Sequence, residues 1–545
     1  MSCKLISGNK FNSNNMFRLK SFLLIVFLLA GFQWSNAQKK SPKEIKKAAK
    51  TFLGYEDYNR ALKELLKLHR NTPYNVELNQ NIGICYLNVN DDRSKAIPYL
   101  EFVLSKQDYK YQVLLYAGLA YSYHYEFDKA ISYFNRYRLK ATPEEIELAD
   151  HYIESCENAK ELIKKPVNVS FENLGKEINT KAPDFFPFVS ADEGTLYFTS
   201  KRSSTIGKNE TDDGYYTSDI FVSKVEKGQW IHAKNAGPLI NTEEDEECVY
   251  LTPSGKTIVI YMYHELDYDE LYVSTLTEGK KQTMPQPEVL GGPVNKKSYF
   301  DLEACITEDG NVLIIASDRP GGYGGCDLYA VNRLPNGKWS QPYNLGPEIN
   351  TKWDENFPML DEKNNVLYFS SQGHTGMGGY DIFKSKYNPE TRSYGPPANI
   401  GYPLNTPEDN MQISLAKNRR DAYVSAYRKE GYGDLDIYKV TFNDVDDLLS
   451  VIIGVISTTD TTKKDIEATI TIIDKKTNEE IDSKEVNPQT GKYIFAVEPG
   501  KYILKVSSSG YAETSQEIMV YDKANYIFEI TKNIQLLKPA GTPAK

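Results

Sequence analysis

The chain has 545 residues, 40% hydrophobic and 25% charged, fractions that exclude wholesale disorder and a collagen-like fibre. Its formal charge is −10 with no basic block, which argues against nucleic acid as a main partner. The length sets a prior of about three or four domains, and 40 tyrosines, suited to pleated and half-buried surfaces, point to much β-structure.

The first segment reads as an address. Residues 21–32 (SFLLIVFLLAGF) are an apolar run behind Arg18 and Lys20, followed by Ser35-Asn36-Ala37. A basic start, a short apolar middle and a small-x-small end describe a secretory signal peptide, residues 1–37, cut after Ala37. The run is too short for an ordinary spanning helix. Met16, just ahead of Phe17-Arg18-Leu19-Lys20, is an alternative start. Leu29-Ala30-Gly31 is followed by Phe32 rather than Cys, which argues against a lipid anchor. Cleavage removes four cations and no acids, leaving 508 residues with 60 cations against 74 acids, a charge of −14. No later apolar stretch is long enough to span a bilayer, so the expectation is an exported chain that does not cross the membrane. Cys85, Cys156, Cys248, Cys305 and Cys326 remain, too sparse for a disulfide framework and read as small buried hydrophobes.

Residues 42–164 have helical periodicity, with apolar residues at i, i+3, i+4 and i+7. A unit recurs at about 34 residues. Ala61, Ala96 and Ala130 each precede a large apolar residue four positions on (Leu65, Leu100, Phe134); Gly83 and Gly118 are each followed by a tyrosine three on, Tyr86 and Tyr121. Small residues at fixed offsets allow two antiparallel helices to approach closely. The pattern resembles the tetratricopeptide repeat, with units at 42–75, 76–108 and 109–143 and a capping helix from Pro143 to Lys164. The first unit departs from it, with Ala49 for the glycine and Phe52 for the tyrosine.

From about 166 the pattern changes to short alternating strands with turn signals. Five segments align on two anchors. The first is Asn179-Thr180, Asn241-Thr242, Asn295-Lys296, Asn350-Thr351 and Asn405-Thr406. The second is an acid, an aliphatic residue and an aromatic: Asp219-Ile220-Phe221, Glu270-Leu271-Tyr272, Asp327-Leu328-Tyr329, Asp381-Ile382-Phe383 and Asp436-Ile437-Tyr438. Four strands in roughly 55 residues is the size of a propeller blade. Asn344-Leu345-Gly346 and Asn399-Ile400-Gly401 close their segments, and the same words stand at Asn173-Leu174-Gly175, ahead of the first. Strand 167–174 is therefore expected to pair with the last repeat, which lacks its closing strand, and to remove the open edges. The motifs resemble the WD40-like, TolB-type repeats of cell-envelope proteins. Residues 450–537, with strands such as Val451–Ile456 and turns at Gly491 and Pro499-Gly500, resemble the carboxypeptidase regulatory-like domain, a transthyretin-like fold. Residues 538–545 read as a disordered tail.

The expected architecture is thus a tetratricopeptide solenoid (38–165), a five-bladed β-propeller (166–443) and a transthyretin-like β-sandwich (450–537). No G-x-S-x-G, H-E-x-x-H, Walker loop or zinc spacing is present, and the six histidines are scattered, so no catalytic residue, metal or cofactor is expected. An acid recurs near each innermost strand, Asp184, Glu246, Asp301, Glu355 and Asp409. Lining a channel mouth, these make an acidic ring for a cation or cationic partner, or supply carboxylates for glycoside cleavage. A position repeated in every blade favours service to the repeat itself, with Arg202, Arg319 and Arg428 as partners. The run Glu243–Glu247 reads as a solvated loop rather than a calcium site. A second candidate surface is the helical groove. Lys43, Lys46 and Lys50 place three cations on one side of a helix, and by the tetratricopeptide resemblance Gln80, Ile84, Gln112, Leu115 and Leu119 continue it toward a peptide or partner helix.

The domain order resembles the PorE-type envelope proteins of Bacteroidetes, associated with type IX secretion and gliding. The resemblance implies a non-enzymatic scaffold, in the periplasm or peripheral to the outer membrane or at the cell surface, contacting envelope proteins through the groove and the propeller face. Those proteins end in an OmpA-like domain that this chain lacks, so direct peptidoglycan binding is not expected. The alternative is a secreted glycan-binding or glycan-processing protein that uses the acidic channel.

Overall fold

The computed structural model describes residues 41–539, apart from positions 212, 265–269, 277–283, 297, 444–449, 459–464, 499 and 521–528. The signal-peptide reading, the 444–449 joint and most of the expected tail lie outside the described residues.

Among the described residues seven α-helices come first: α1 (Pro42–Gly54), α2 (Tyr58–His69), α3 (Val76–Asn88), α4 (Ile97–Leu104), α5 (Gln112–Tyr123), α6 (Phe127–Arg138) and α7 (Pro143–Leu162). Two of their starts are fixed by complete capping boxes followed by proline, Ser41 with Glu44 and Thr142 with Glu145. Each box satisfies orphan amides at a helix N-terminus. Ala61, Ala96 and Ala130 are fully buried, and the two repeated glycines mark the tightest approaches. A Cβ on Gly83 would lie 2.6 Å from Leu100 Cδ2, and one on Gly118 would collide with the edge of the Phe134 ring. The aromatic position also has a polar use, since Tyr121 and Tyr133 stack at 5.6 Å and both donate to Glu101. All five cysteines in the described residues are buried.

Five antiparallel sheets follow, one from each sequence repeat. Their opening strands are Asp184–Val189, Glu246–Leu251, Asp301–Ile306, Glu355–Asp361 and the short Ser414–Leu415. In the fifth sheet the order is completed by Val169–Asn173, which pairs with Asp436–Phe442 in the register Val169↔Phe442 to Asn173↔Tyr438. A single buried apolar cluster draws on all five sheets, with Phe188, Ile260, Ile315, Phe369 and Val440 among its members. Two four-stranded sheets end the chain around one further core that includes Ile452, Ile470, Phe495 and Leu504. Lys492–Val497 alternates exposed and buried residues strictly, as a half-buried strand must.

The expected solenoid, five-bladed propeller and transthyretin-like sandwich are corrected by this pairing. The described residues form an N-terminal seven-helix bundle and a series of separate antiparallel sheets, none of which closes into a barrel or propeller. Among the described residues each repeat completes its strand ladder within its own sheet, no ladder runs from one sheet to the next, and no strand pairing closes the series.

The bundle is seated against the sheets. Met377, from the fourth repeat, is buried in a cluster otherwise drawn from α5, α6 and α7. His151 stacks on Trp353 with ring centroids 4.3 Å apart, Lys352 pairs with Glu147, Asn90 donates to Asp434 at 2.7 Å, and Tyr427 to Asp91 at 2.9 Å.

Candidate functional site

The two sequence anchors are halves of one hydrogen-bond unit. In all five repeats the anchor asparagine accepts from the backbone N–H of the aliphatic residue after the second-anchor acid and donates to its C=O, at 2.8–3.0 Å. The pairs are Asn179 with Ile437, Asn241 with Ile220, Asn295 with Leu271, Asn350 with Leu328, and Asn405 with Ile382. The Asn-x-Gly turn supports the anchor. Asn344 Oδ1 accepts from Gly346 N and from Asn350 Nδ2, both at 2.8 Å, and Gly346 has φ +92, a conformation that favours glycine. Two of the second-anchor acids hold glycine-rich hairpins: Asp327 accepts from Tyr323 N at 2.6 Å and Gly324 N at 3.1 Å, and Asp436 from Tyr432 N at 2.6 Å.

Four of the five candidate acids are enclosed by the same machinery. Asp184, Glu246, Asp301 and Glu355 are all buried. Each accepts from the backbone N–H of its own anchor turn: Thr180 to Asp184 at 2.6 Å, Thr242 to Glu246 at 2.8 Å, Asn295 to Asp301 at 3.0 Å, and Thr351 to Glu355 at 2.7 Å. Arg202 pairs with Asp184 and Arg319 with Asp301. Arg428 instead lies over Phe171, 3.6 Å from the ring centroid. Burial raises the Asp184 carboxyl against the opposing pull of Arg202; with no cation beside them, burial pushes Glu246 up to about 8 and Glu355 to about 7.

The fifth acid stands one position off. In the last repeat Asn410, not Asp409, receives the anchor N–H, from Thr406 at 2.7 Å. Asp409 accepts from Tyr380 N at 3.0 Å, as Asp245 does from Ser218 N and Asp354 from Cys326 N. The run Glu243–Glu247 is not uniformly solvated: Glu243 is exposed, Glu246 is buried and Glu247 half-buried.

The groove residues divide between two environments. Lys43, Lys46 and Lys50 are exposed, and Lys46 lies 3.8 Å from Glu77. Gln80 and Gln112 are half-buried and Leu115 is buried. Ile84 and Leu119, by contrast, line a cavity of about 800 Å³ between the bundle and the sheets, and Asp409 lines the same cavity. The structure thus brings one predicted acid and two predicted groove residues into one space, and leaves the lysines and the other four acids outside it.

Sequence reasoning missed most of that lining. Eight tyrosines reach it, including Tyr123, Tyr152 and Tyr261, as do Arg93, Glu247, Glu408 and Gln412. Phe186 lies in the wall with φ +49, and its ring is 5.2 Å from that of Phe357, φ +51. Two bulky residues in the left-handed region are outliers that mark constrained backbone. The available signal was departure from the repeat. Glu247 follows a repeat acid where the first and fourth segments have Phe185 and Asn356. Among the described residues no group of His, Cys, Asp and Glu is arranged to hold a metal ion, and no helix is long and apolar enough to cross a membrane.

No family model and no curated protein matches the chain. Among solved structures it is similar to TolB from Acinetobacter baumannii at 14% identity, over 49% of this chain and 56% of that one, with a TM-score of 0.31. It is similar to the catalytic domain of the Coprinopsis cinerea GH62 α-L-arabinofuranosidase at 9% identity, over 51% and 98% of the two chains, TM-score 0.32. The RRP9 WD40 repeats match at 10% identity, over 50% and 97%, TM-score 0.26. The chain therefore spans little more than half the length of the TolB it matches, and overlaps this low carry no argument about fold or activity.

Proposed function

We propose that the chain is a non-enzymatic scaffold or adaptor of a cell-envelope complex, held in the periplasm or against the outer membrane and associated with type IX secretion or gliding machinery. The observation that supports it is the fate of the repeated carboxylates. A glycan-processing enzyme needs carboxylates exposed to substrate in different environments. Here Asp184, Glu246, Asp301 and Glu355 are closed into their own turns, so the repeat builds a frame. That frame carries a seated helical bundle, an arrangement suited to presenting surfaces to other proteins.

The test is crosslinked affinity purification of tagged protein from the membrane fraction of its native host, read by mass spectrometry. Stoichiometric recovery of an outer-membrane barrel or secretion component is expected. Recovery of the chain alone, or hydrolysis of a glycan or peptide by the purified protein, would overturn the reading.

A further inference from the structure

One of the three repeat arginines keeps its place and has lost its acceptors. In the first repeat Arg202 Nε donates to Ser200 Oγ at 2.7 Å and its Nη2 to Asp184. In the third, Arg319 Nε donates to Ser317 Oγ at 3.0 Å and its Nη2 to Asp301 at 2.8 Å. Arg428 stands at the same point of the last repeat, beside the second-anchor aromatic. Tyr438 is 5.5 Å from it, against 4.4 Å from Arg202 to Phe221 and 5.2 Å from Arg319 to Tyr329. Here, however, the serine position is Ala426 and the acid position is Asn410. Among the described residues the Arg428 side chain makes no hydrogen bond and no ion pair. The carboxylate that acts most on it, the exposed Glu430, does not pair with it.

Arg428 is half-buried and lines the cavity of about 800 Å³ between bundle and sheets. The sealed atoms of that lining, Gln412 Oε1, Arg93 Nε and Arg428 Nε, are out of an occupant's reach. Arg428 Nη1 and Nη2 are unpaired and not sealed, and they offer donors only. A guanidinium presents N–H groups in a fork that fits a carboxylate or a phosphate. Acids outnumber cations in the lining by six to three, which weighs against a phosphate monoester near −2. A single carboxylate is tolerated because most of those acids are engaged: Asp213 pairs with Lys201, Asp245 and Asp409 accept backbone N–H bonds, and Glu408 faces Arg93. Around Arg428 stand Phe171, Tyr125 and Tyr402, the two tyrosines edge to face at 6.1 Å. This aromatic wall suits an apolar side chain next to the carboxylate better than the hydroxyls of a sugar acid.

We propose that Arg428 receives the C-terminal carboxylate of a partner protein whose last residue is apolar, an inference that rests on the adaptor reading above. The carboxylate takes the place that Asp184 holds beside Arg202, and the last side chain packs among the three rings. A chain end brings one length of backbone into the space between bundle and sheets, where an internal acidic residue would bring two.

The experiment is isothermal titration calorimetry on the full chain with N-acetyl-Gly-Ser-Gly-Ser-Phe bearing a free carboxylate. Its comparators are the same peptide amidated, the amidated peptide with glutamate at its centre, and inorganic phosphate. The free-acid peptide is expected to bind at one site, and amidation to weaken it by about tenfold or more. Arg428→Gln is expected to cause a loss of the same size, while Lys429→Gln, at an exposed position outside the cavity lining, causes none. Asn410→Asp is the second probe. It restores the repeat acid, which can still accept from Thr406 N as Asp184 does from Thr180 N, and by occupying Arg428 it should also weaken binding in a protein that stays folded. Circular dichroism checks the fold of each variant. Equal binding of acid and amide, equal binding by wild type and both probes, or no binding at all overturns the proposal. Tighter binding of the internal glutamate peptide or of phosphate does so too. Repeating the affinity purification with Asn410→Asp separates the two readings. A partner recovered equally by wild type and variant removes the carboxylate site and leaves the adaptor; no partner from either removes the adaptor, and the titration still decides the site.

Discussion

Asn350 does with one side chain what a neighbouring strand does with its backbone. Its amide donates to Leu328 C=O and accepts from Leu328 N–H, and both partners are buried. Asn350→Leu removes both bonds and leaves two backbone groups unpaired away from water, a loss of about 2–4 kcal/mol; a lower urea midpoint with unchanged slope is the expected result. Glu246 carries a different signature. Its folded carboxyl holds its proton up to about 8, whereas the unfolded chain releases it near its ordinary value of 4.5. The stability it contributes is complete below that ordinary value and is lost as pH rises through about 8. Glu246→Gln has no proton to release, so the decline in stability between pH 5 and pH 9 is expected to be shallower than in wild type, by a few kcal/mol at most. The exposed Glu243→Gln serves as control; an unchanged slope in Glu246→Gln would show that the Thr242 hydrogen bonds cancel the effect of burial.

The helix pair α5/α6 shows how far an element can be read from residue spacing. Gly118 was legible as a close-approach position because it recurs with Gly83, and the structure places the Phe134 ring against it. Gly118→Ala forces that fully buried ring to move, and overpacking of this kind costs typically about 1–3 kcal/mol, more than the helix propensity gained, about 1 kcal/mol. A lower melting temperature is expected; a rise would mean that α5 and α6 can part without penalty. The sheet anchors were legible for the same reason, since each anchor Asn makes the same pair of bonds to the repeat before it, Asn179 making them to the last repeat. Pairing of the 167–174 strand with the last repeat was legible from the displaced Asn173-Leu174-Gly175. Legibility failed where the bonding is not repeated. Asp409 stood in for Asn410 because the two are adjacent and only hydrogen bonding tells them apart. The propeller expectation extrapolated from repeat length to ring closure, which repeat length does not encode. The cavity was invisible because Ile84, Glu247 and Gln412 come from three distant segments and belong to no common motif.

At the scale of the whole molecule, the contact between bundle and sheets joins parts of the chain that no local pattern relates; Lys352 and Glu147 are 205 residues apart. His151 sits at that contact, stacked on Trp353. Burial, and then the nearby Lys352 ammonium, lower its pKa to about 4. The unfolded chain takes up a proton near the ordinary value of 6.5, whereas the seated bundle keeps the ring neutral until about 4. The stability held by this contact is therefore complete above 6.5 and is lost as pH falls through that window, the reverse of Glu246. The loss is on the order of 2–3 kcal/mol, and because the ring joins two modules it is expected to act on their seating before it acts on either core. Hydrogen exchange in α7 should accelerate between pH 7 and pH 4.5, after correction for intrinsic rates, while exchange in the Val312–Ser317 strand stays slow. His151→Phe keeps an aromatic face for Trp353 without a titrating nitrogen and should abolish the acceleration. The same acceleration in His151→Phe would place the acid sensitivity in other groups at the contact, with Glu147 and its Lys352 partner the next pair to exchange.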